Sequence, residues 1–298
     1  MNIGNTRLGM VGIGVMGHGI AATLVGRGYP LVFLDHPGNQ PVDDLLAAGA
    51  RSVGSLAELA GESDVVILCV TGTPQVEAVL LGAGGVIAHM RPGTVVIDHS
   101  TAIPASTVHV AEAVARAGGR FLDAPMTGTP KDAAAGRINL LVGGDPALFE
   151  EYQPLLAGYA QRIVYGGPVG AGHRLKLLHN FVSMGFAAVL AEAVACAERA
   201  RVDIPLFVEV LANGGGRSTM LDRMRPYIEE RDVTAYRFSI GNAAKDLGYY
   251  AALAEELGAS RTTAEAVHRV YADAVAAGHG QETVPEMVAV LGPTRPTA

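Results

Sequence analysis

The sequence predicts an α/β half followed by an all-α half, and three observations carry that reading. Up to residue 166, short β-branched and apolar runs alternate with helical patterns, the mark of a parallel sheet covered by helices. Beyond Gly172 the periodicity is helical and almost no strand pattern remains. Between the two stands Gly166-Gly167-Pro168, a natural break. A chain of 298 residues exceeds the usual single-domain range, so two domains are expected, 1–166 and 167–298.

Leu8 to Val11 reads as the first strand, followed by a helix through Ala21, Leu24 and Val25. Leu31 to Leu34 reads as the second, and Val65 to Val70 as another. Val95 to Ile97, Arg120 to Leu122, Ile138 to Val142 and Arg162 to Tyr165 continue the series. Unbroken apolar runs such as Val65-Val66-Ile67-Leu68 suit a strand buried on both faces. In the second half, Leu175 to Arg201 reads as one apolar helix of about 27 residues, some 40 Å long. Pro205 to Ala212, Thr219 to Glu229, Ile240 to Leu257 and Thr262 to Ala277 follow as helices, and a polar tail begins after Gly292. A helix so long and apolar seldom finds full cover in a small domain, so a homodimer or homotetramer is expected.

Composition narrows the functional classes. Hydrophobic residues make up 49% and charged residues 17%, as in a well-buried globular protein. A net charge of −7 disfavours nucleic-acid binding, which needs a basic face. Met1 to Arg7 carries no targeting pattern, and the uncharged run Leu177 to Ala191 is too short to span a bilayer, so no membrane partner is expected. Cys69 and Cys196 lie far apart in apolar surroundings without metal or redox spacing. Buried free thiols, a cytoplasmic setting and no bound metal are the expectation.

Gly12-Ile13-Gly14-Val15-Met16-Gly17 follows the first strand and opens a helix. The first glycine serves a tight turn, the second lets backbone approach a pyrophosphate, and the third permits close helix–strand packing. The helix N-terminus then offers N–H groups and a positive dipole to phosphates. Asp35, 18 residues beyond Gly17, ends the second strand, where a carboxylate suits the adenosine ribose hydroxyls. It would repel a 2′-phosphate, so NAD is expected over NADP, with His36 as a neighbouring cation able to accept that phosphate. These features make residues 1–166 a Rossmann-like, doubly wound dinucleotide-binding domain.

Downstream, Lys176 and Asn180 stand one helical turn apart after Gly170-Ala171-Gly172, on one face of the long helix. A cation and an amide so placed can hold a substrate oxygen while a cofactor does the redox chemistry. Three histidines, His18, His173 and His179, lack a His-Glu-x-x-His run, and His179 reads as a helix-face residue. Gly214-Gly215-Gly216-Arg217-Ser218 lacks a preceding strand and the Gly-Lys-Ser/Thr core of a phosphate loop, so it reads as an interhelical turn with Arg217 a weak anion contact.

Three segments together resemble the β-hydroxyacid dehydrogenase family, which contains 3-hydroxyisobutyrate dehydrogenase and the more distant 6-phosphogluconate dehydrogenase. They are Gly12 to Gly17; Asp123-Ala124-Pro125-Met126-Thr127-Gly128 continuing through Gly136 to Val142-Gly143-Gly144; and Gly167 to Asn180, with Lys245-Asp246-Leu247 as a further match. The resemblance implies a Rossmann-like N-terminal domain, an all-helical C-terminal domain for substrate and oligomerisation built on the long interdomain helix, and a site between them. It implies Lys176 as the catalytic residue and Asn180 as a ligand of the substrate oxygen. Thr127, Gly128 and Thr129 would bind the substrate carboxylate, Lys245 would lie near nicotinamide and substrate, and Val70, Thr71, Ser100 and Thr101 would contact cofactor. The expected reaction interconverts a small anionic 3-hydroxy acid and its semialdehyde or keto form with NAD or NADP. A lysine can handle the proton in both directions where burial and nearby cations lower it towards neutrality, and Lys245 is a candidate neighbour.

Two departures from the family pattern bear on the substrate. Thr127-Gly128-Thr129 replaces the usual Ser-Gly-Gly, and Pro130-Lys131-Asp132 follows, so Lys131 is a candidate second anion contact for an extra carboxylate, phosphate or sulfonate. Glu282-Thr283-Val284 replaces the usual Asp-x-Ser. Two rivals have other chemistry. An imine reductase shares the architecture but generally lacks a lysine at the position of Lys176. A non-catalytic NAD-binding sensor would keep Gly12, Gly14, Gly17 and Asp35 without needing Lys176, Asn180 and Thr127 together.

Overall fold

The computed structural model describes residues 6–292, so the start of the chain and the polar tail after Gly292 lie outside the described residues. The chain separates into two compact units, one ending at Lys176 and the next beginning at Leu177.

The first unit is a nine-stranded sheet. Its strands are β1 Leu8–Val11, β2 Leu31–Leu34, β3 Arg51–Val53, β4 Val65–Leu68, β5 Val95–Asp98, β6 Arg120–Asp123, β7 Met126–Thr127, β8 Ile138–Gly144 and β9 Ala160–Gly167. The helices between them are α1 Val15–Gly26, α2 Asp43–Ala47, α3 Leu56–Glu62, α4 Thr73–Leu81, α5 Val86–His89, α6 Pro104–Arg116, α7 Pro130–Ala134 and α8 Pro146–Leu156. The strand order is β3-β2-β1-β4-β5-β6-β8-β7, with β9 paired to β8. Strands β1 to β6 run parallel, in a register that aligns Leu8 with Leu31 and Val65, and Val65 with Val95. The chain winds outward from β1 to β3, then returns to β4 on the other side of β1. That reversal opens a crevice at the carboxyl ends of β1 and β4, where such sheets bind ligands.

Every residue of β1, β4 and β5 is buried, because helices cover both faces. Alternation sends neighbours to opposite layers. Val65, Ile67, Val95 and Ile97 pack with Ile20 and Leu24 of α1, whereas Val66, Leu68 and Val96 pack with Leu59, Leu80, Val110 and Val114. Fully burying one such side chain is worth about 1.5–3 kcal/mol.

Two short strands escape sequence reading. β3 has three residues, two of them exposed, and β7 has two, so neither shows an apolar run. β8 turns antiparallel to β6, aligning Asp123 with Gly143 and Leu122 with Gly144. A Cβ at Gly144, whose φ is +150°, would lie 2.4 Å from the Leu122 side chain. The strand expected over Val65 to Val70 stops at Leu68, and Cys69 and Val70 lead into the loop before α4.

The second unit is helical. Its helices are α9 Ala171–Arg199, whose first turns belong to the first unit, then α10 Ile204–Asn213, α11 Thr219–Glu230, α12 Ile240–Glu256, α13 Thr262–Ala274 and α14 Met287–Leu291. Its core joins Ala187, Ala191 and Val194 of α9 to Met224, Tyr227, Leu247 and Tyr271. The α-helix expected to reach Ala277 ends at Ala274 in a π-turn over Val275–His279, because Gly278 adopts φ +97°.

The long helix has 29 residues, beginning four residues earlier than expected. By length and composition alone it is apolar enough to cross a membrane, in contrast to the shorter segment judged from sequence, but half of its most apolar stretch is buried inside the protein. The thiol expectation is corrected in part. Both cysteines are free, but Cys69 is half-buried and Cys196 is exposed, the latter on the outer face of α9 with Val182, Phe186 and Val189.

One core contact sets an acid limit. His99, 3% exposed, places Nδ1 2.6 Å from the Ala124 carbonyl and Nε2 2.8 Å from the Tyr159 hydroxyl. The carbonyl can only accept, so Nδ1 carries the proton and Nε2 accepts from Tyr159. Burial drives this histidine down from 6.5 to about 4, against the raising effect of the Ala124 bond. The unfolded chain therefore takes up the proton first. The contribution, roughly 3 kcal/mol, is whole above pH 6.5 and is lost as pH falls towards 4. Urea midpoints measured across that interval should fall less for His99→Gln than for the unsubstituted protein.

Candidate active site

The glycine-rich turn follows from three different constraints. Gly12 has φ +97°, and a Cβ there would lie 2.3 Å from the Cys69 carbonyl oxygen. A Cβ at Gly17 would lie 2.0 Å from the Gly12 carbonyl oxygen, so α1 presses directly on its own turn. Gly14 differs, since nothing lies within 4 Å of a Cβ built there. It is the N-cap of α1, with no side-chain cap and no acid in the first turn. An open approach to uncapped N–H groups at a helix N-terminus fits a pyrophosphate. Buried Ile13 anchors the turn: its N–H donates to Asn39 Oδ1 at 3.3 Å and its carbonyl accepts from Gln40 N–H at 2.7 Å. Val15 and Met16 are half-buried in the first turn of α1.

Asn39 also donates through Nδ2 to the Leu34 carbonyl at 3.0 Å, fixing the loop after β2. At the head of that loop Asp35 and His36 are exposed. Gly38 N–H donates to His36 Nδ1 at 2.9 Å, which leaves Nε2 as the ring nitrogen directed elsewhere.

The loops after β4 and β5 are tied together. Ser100, 3% exposed, accepts from Val70 N–H at 3.1 Å through its hydroxyl and donates its own N–H to Asp98 Oδ1 at 2.9 Å. Ile103 N–H donates to Thr73 Oγ1 at 2.8 Å across the same pair of loops. Thr71 is exposed and Thr101 half-buried beside them. Burial, with Asp98 adding to it, pushes the Cys69 thiol up to about 12, so it is not a nucleophile at neutral pH.

The start of α9 is fastened to β6. Asp123, fully buried, accepts from Gly170 N–H at 2.7 Å and from His173 N–H at 2.9 Å, an N-cap supplied from 47 and 50 residues away. The glycines around it make the approach possible. A Cβ at Gly172 would meet the Leu141 carbonyl oxygen at 2.3 Å, and one at Gly143 would meet Asp123 Oδ1 at 2.6 Å. Gly170 adopts φ +86°. One turn into the helix, half-buried Lys176 donates through Nζ to the Met126 carbonyl at 2.7 Å.

Lys176 thus stands beside β7 and the Thr127-Gly128-Thr129 turn. Asn139 Nδ2 donates to Thr127 Oγ1 at 3.2 Å, and Gly128 has φ +133°. Thr129 caps α7, and both its N–H and its hydroxyl donate to Asp132 Oδ2, at 2.8 and 2.7 Å. Those donors already have an acceptor, and Thr127 and Gly128 are the members of the turn not engaged in this way. Lys131 is exposed.

In the second unit, Asn180 is 4% exposed and donates through Nδ2 to Asp246 Oδ2 at 2.6 Å, while His179 Nδ1 lies 3.0 Å from Asn180 Oδ1. Lys245 Nζ stands 2.9 Å from Asp246 Oδ1 and 5.2 Å from the centre of the Tyr249 ring. Asp246 therefore brings Asn180 and Lys245 together. Arg217 is exposed in the turn before α11, where Ser218 accepts from Leu221 N–H as the helix cap. Among the described residues no group of three or more His, Cys, Asp or Glu side chains is placed to share a metal ion.

Sequence reading assigns no role to Asn39, Asp123, His173 or Asp246, whose hydrogen bonds hold these segments in place. Asp246 had a signal in its adjacency to Lys245, and Asp123 in its place at the end of a buried strand. His173 and Asn39 had none, since their partners are set by the fold.

A doubly wound sheet with an open glycine turn at its switch point, an exposed acid after β2 and a lysine beside the sheet define an NAD(P)-dependent oxidoreductase. Residues 7–167 match the model of the NAD-binding domain of 6-phosphogluconate dehydrogenase, and residues 170–291 that of the NAD-binding domain of NADP-dependent 3-hydroxyisobutyrate dehydrogenase. The chain belongs to the β-hydroxyacid dehydrogenase family and is a dehydrogenase of the CH–OH group of hydroxy acids. It is 31% identical over 277 residues to an L-threonate dehydrogenase of Cupriavidus necator, covering 92% of each chain. It is 32% identical over 248 residues to an NAD-dependent L-serine dehydrogenase of Pseudomonas aeruginosa, covering 81% of this chain and 83% of the other. The crystal structure of 3-hydroxyisobutyrate dehydrogenase from Salmonella typhimurium superposes with a TM-score of 0.86 at 29% identity, covering 96% of this chain and all of the other.

Gly14 and Gly17 should separate by experiment. Gly14→Ala should cost stability no more than a cap, about 1 kcal/mol, yet weaken NAD(P) binding at least tenfold by titration calorimetry. Gly17→Ala should destabilise by about 3 kcal/mol through overpacking, read by denaturant unfolding. Unchanged NAD(P) affinity in Gly14→Ala would contradict the cradle.

Proposed function

We propose that the protein interconverts a small anionic 3-hydroxy acid and its semialdehyde or keto form, with Lys176 as general acid and base. The observation that carries this is the seat of Lys176, held by the Met126 carbonyl next to the Thr127-Gly128 turn. The bound nicotinamide supplies the hydride chemistry. The protein supplies position and the proton. In oxidation Lys176, unprotonated, takes the substrate hydroxyl proton as the C–H bond gives up its electron pair. In reduction the lysine returns a proton to the carbonyl oxygen. Asn180 orients that oxygen through its amide, itself held by Asp246. Thr127 and Gly128 bind the carboxylate, and Lys245 lies close to nicotinamide and substrate.

The residues that hold the dinucleotide are Gly12 to Gly17, Asp35, His36, Val70, Thr71, Ser100 and Thr101. NAD is preferred, because the exposed Asp35 carboxylate opposes a 2′-phosphate. Residues 1–166 act as the dinucleotide domain and 167–298 as the substrate and oligomerisation domain. Threonate and serine, which name two relatives, belong to the substrate class. Exposed Lys131 favours substrates with a second anionic group. Two free thiols fit the cytoplasm.

Leu178, Val182, Phe186 and Val189 form an exposed apolar stripe on α9, with Leu206 and Val210 exposed on α10. A stripe of this kind supports a homodimer or homotetramer closed through these helices. Sedimentation velocity should show an oligomer that Phe186→Glu with Val189→Glu dissociates.

The main experiment is a spectrophotometric screen of mono- and dianionic 3-hydroxy acids with NAD and NADP. Lys176→Ala should lose at least about 1,000-fold in kcat, within the range for general acid–base catalysis, while still binding cofactor. Lys131→Ala should raise KM for dianions more than for monoanions. Retained turnover in Lys176→Ala refutes the lysine's role, and tight NAD binding with no turnover of any hydroxy acid favours a sensor.

A further inference from the structure

His173 is 0% exposed in the first turn of α9, three residues before Lys176. Its Nε2 lies 3.0 Å from the Ser100 carbonyl oxygen, which can only accept, so Nε2 carries a proton. Its Nδ1 lies 2.8 Å from Thr107 Oγ1 on α6, and that hydroxyl is also 3.1 Å from the Ile103 carbonyl. Its backbone N–H donates to Asp123. One residue thus touches β6, the loop after β5, α6 and its own helix.

The charged neighbours are equally buried. Asp98 Oδ2 from β5 lies 3.9 Å from Nε2, and Asp123 Oδ2 from β6 lies 3.9 Å from Nδ1. His99, whose charge His173 opposes, is kept neutral at neutral pH mainly by burial. Asp98 Oδ2 is enclosed with no hydrogen-bond partner of its own, and burial raises Asp98 above the usual carboxylate range despite His173. A core this polar is not needed to hold a helix against a sheet; an apolar side chain at 173 would suffice. What the imidazole adds is a directional link from the first turn of α9 to the loop after β5 and to α6.

One end of that link is the Ser100–Thr101 segment, whose hydroxyl fixes the Val70 N–H at the mouth of the crevice. The other end is the turn that carries Lys176. We propose that His173 is a positioning residue for the hydride-transfer reaction, its ring locking the first turn of α9 to the loop after β5 so that Lys176 and the cofactor-facing Ser100–Thr101 segment hold one fixed register. This rests on the role of Lys176 given above.

The test compares His173→Leu, which fills the space without either ring bond, with His173→Gln, which keeps a donor and an acceptor. His173→Leu should lower kcat about 10- to 100-fold, as an ångström's misplacement of a reacting group does. It should also raise the KM for NAD(P) and shift the limb of the kcat/KM pH profile that belongs to Lys176. His173→Gln should recover most of the loss. Because His173 acts through Lys176, its effect should largely vanish in a Lys176→Ala background, a non-additivity that a general loss of stability would not produce. Should leucine prevent folding, Thr107→Val, which removes only the hydroxyl at Nδ1, should reduce kcat about tenfold by the same misplacement. Unchanged kcat, KM and pH profile in the folded variants, with Lys176→Ala inactive, overturns the proposal alone. An active Lys176→Ala overturns the lysine assignment and this inference with it.

Discussion

The carboxylate of Asp123 has no water to rest in, and the start of α9 has N–H groups with no partners of their own. Each settles the other: Asp123 accepts from Gly170 and His173 at the end of a strand buried on both faces. A buried carboxylate without such bonds would cost several kcal/mol, and an uncapped helix start would leave donors orphaned. The bonds can form only because Gly143 and Gly172 have no side chains in the way. These bonds help set the point at which α9 begins, and therefore where Lys176 falls against Met126.

The same economy governs the opposite end of the crevice. The parallel strands reverse their order between β1 and β4, so two loops diverge there and leave space. Polar groups that line such a space must be satisfied by one another. Ser100 holds Val70, Thr73 holds Ile103, and Asn39 joins Ile13 to Leu34. The open position is Gly14, where a side chain would find nothing to touch. A preorganised cradle of backbone amides is the outcome.

Much of this was legible in the residues. The unbroken run Val65 to Leu68 predicts a strand covered on both sides, and each of its residues is buried. The glycine turn declares itself by position, directly between a strand and a helix, and the spacing of Lys176 and Asn180 places them one turn apart on the long helix. The remainder depends on contacts between distant parts of the chain. β7 has two residues and pairs with β8 only after an intervening helix, so no local pattern announces it. His173 looks like any helix histidine until Thr107 and Ser100 are brought to its ring from 66 and 73 residues away. Asp246 becomes meaningful only beside Asn180, 66 residues earlier.

The boundary between the two units falls inside α9, between Lys176 and Leu177, and not in a loop. Its consequence concerns ancestry and engineering. Domains joined by loops can be exchanged between proteins by splicing at the loop, each half keeping its own ends. Here a splice at the boundary would sever a continuous helix one turn past its cap, leaving one half with a stub and the other with a helix start that nothing satisfies. The second unit is therefore not a portable module. Swapping it between relatives requires the crossover to lie upstream of Gly170, so that the donor brings its own glycines and the recipient's β6 carboxylate must still fit them.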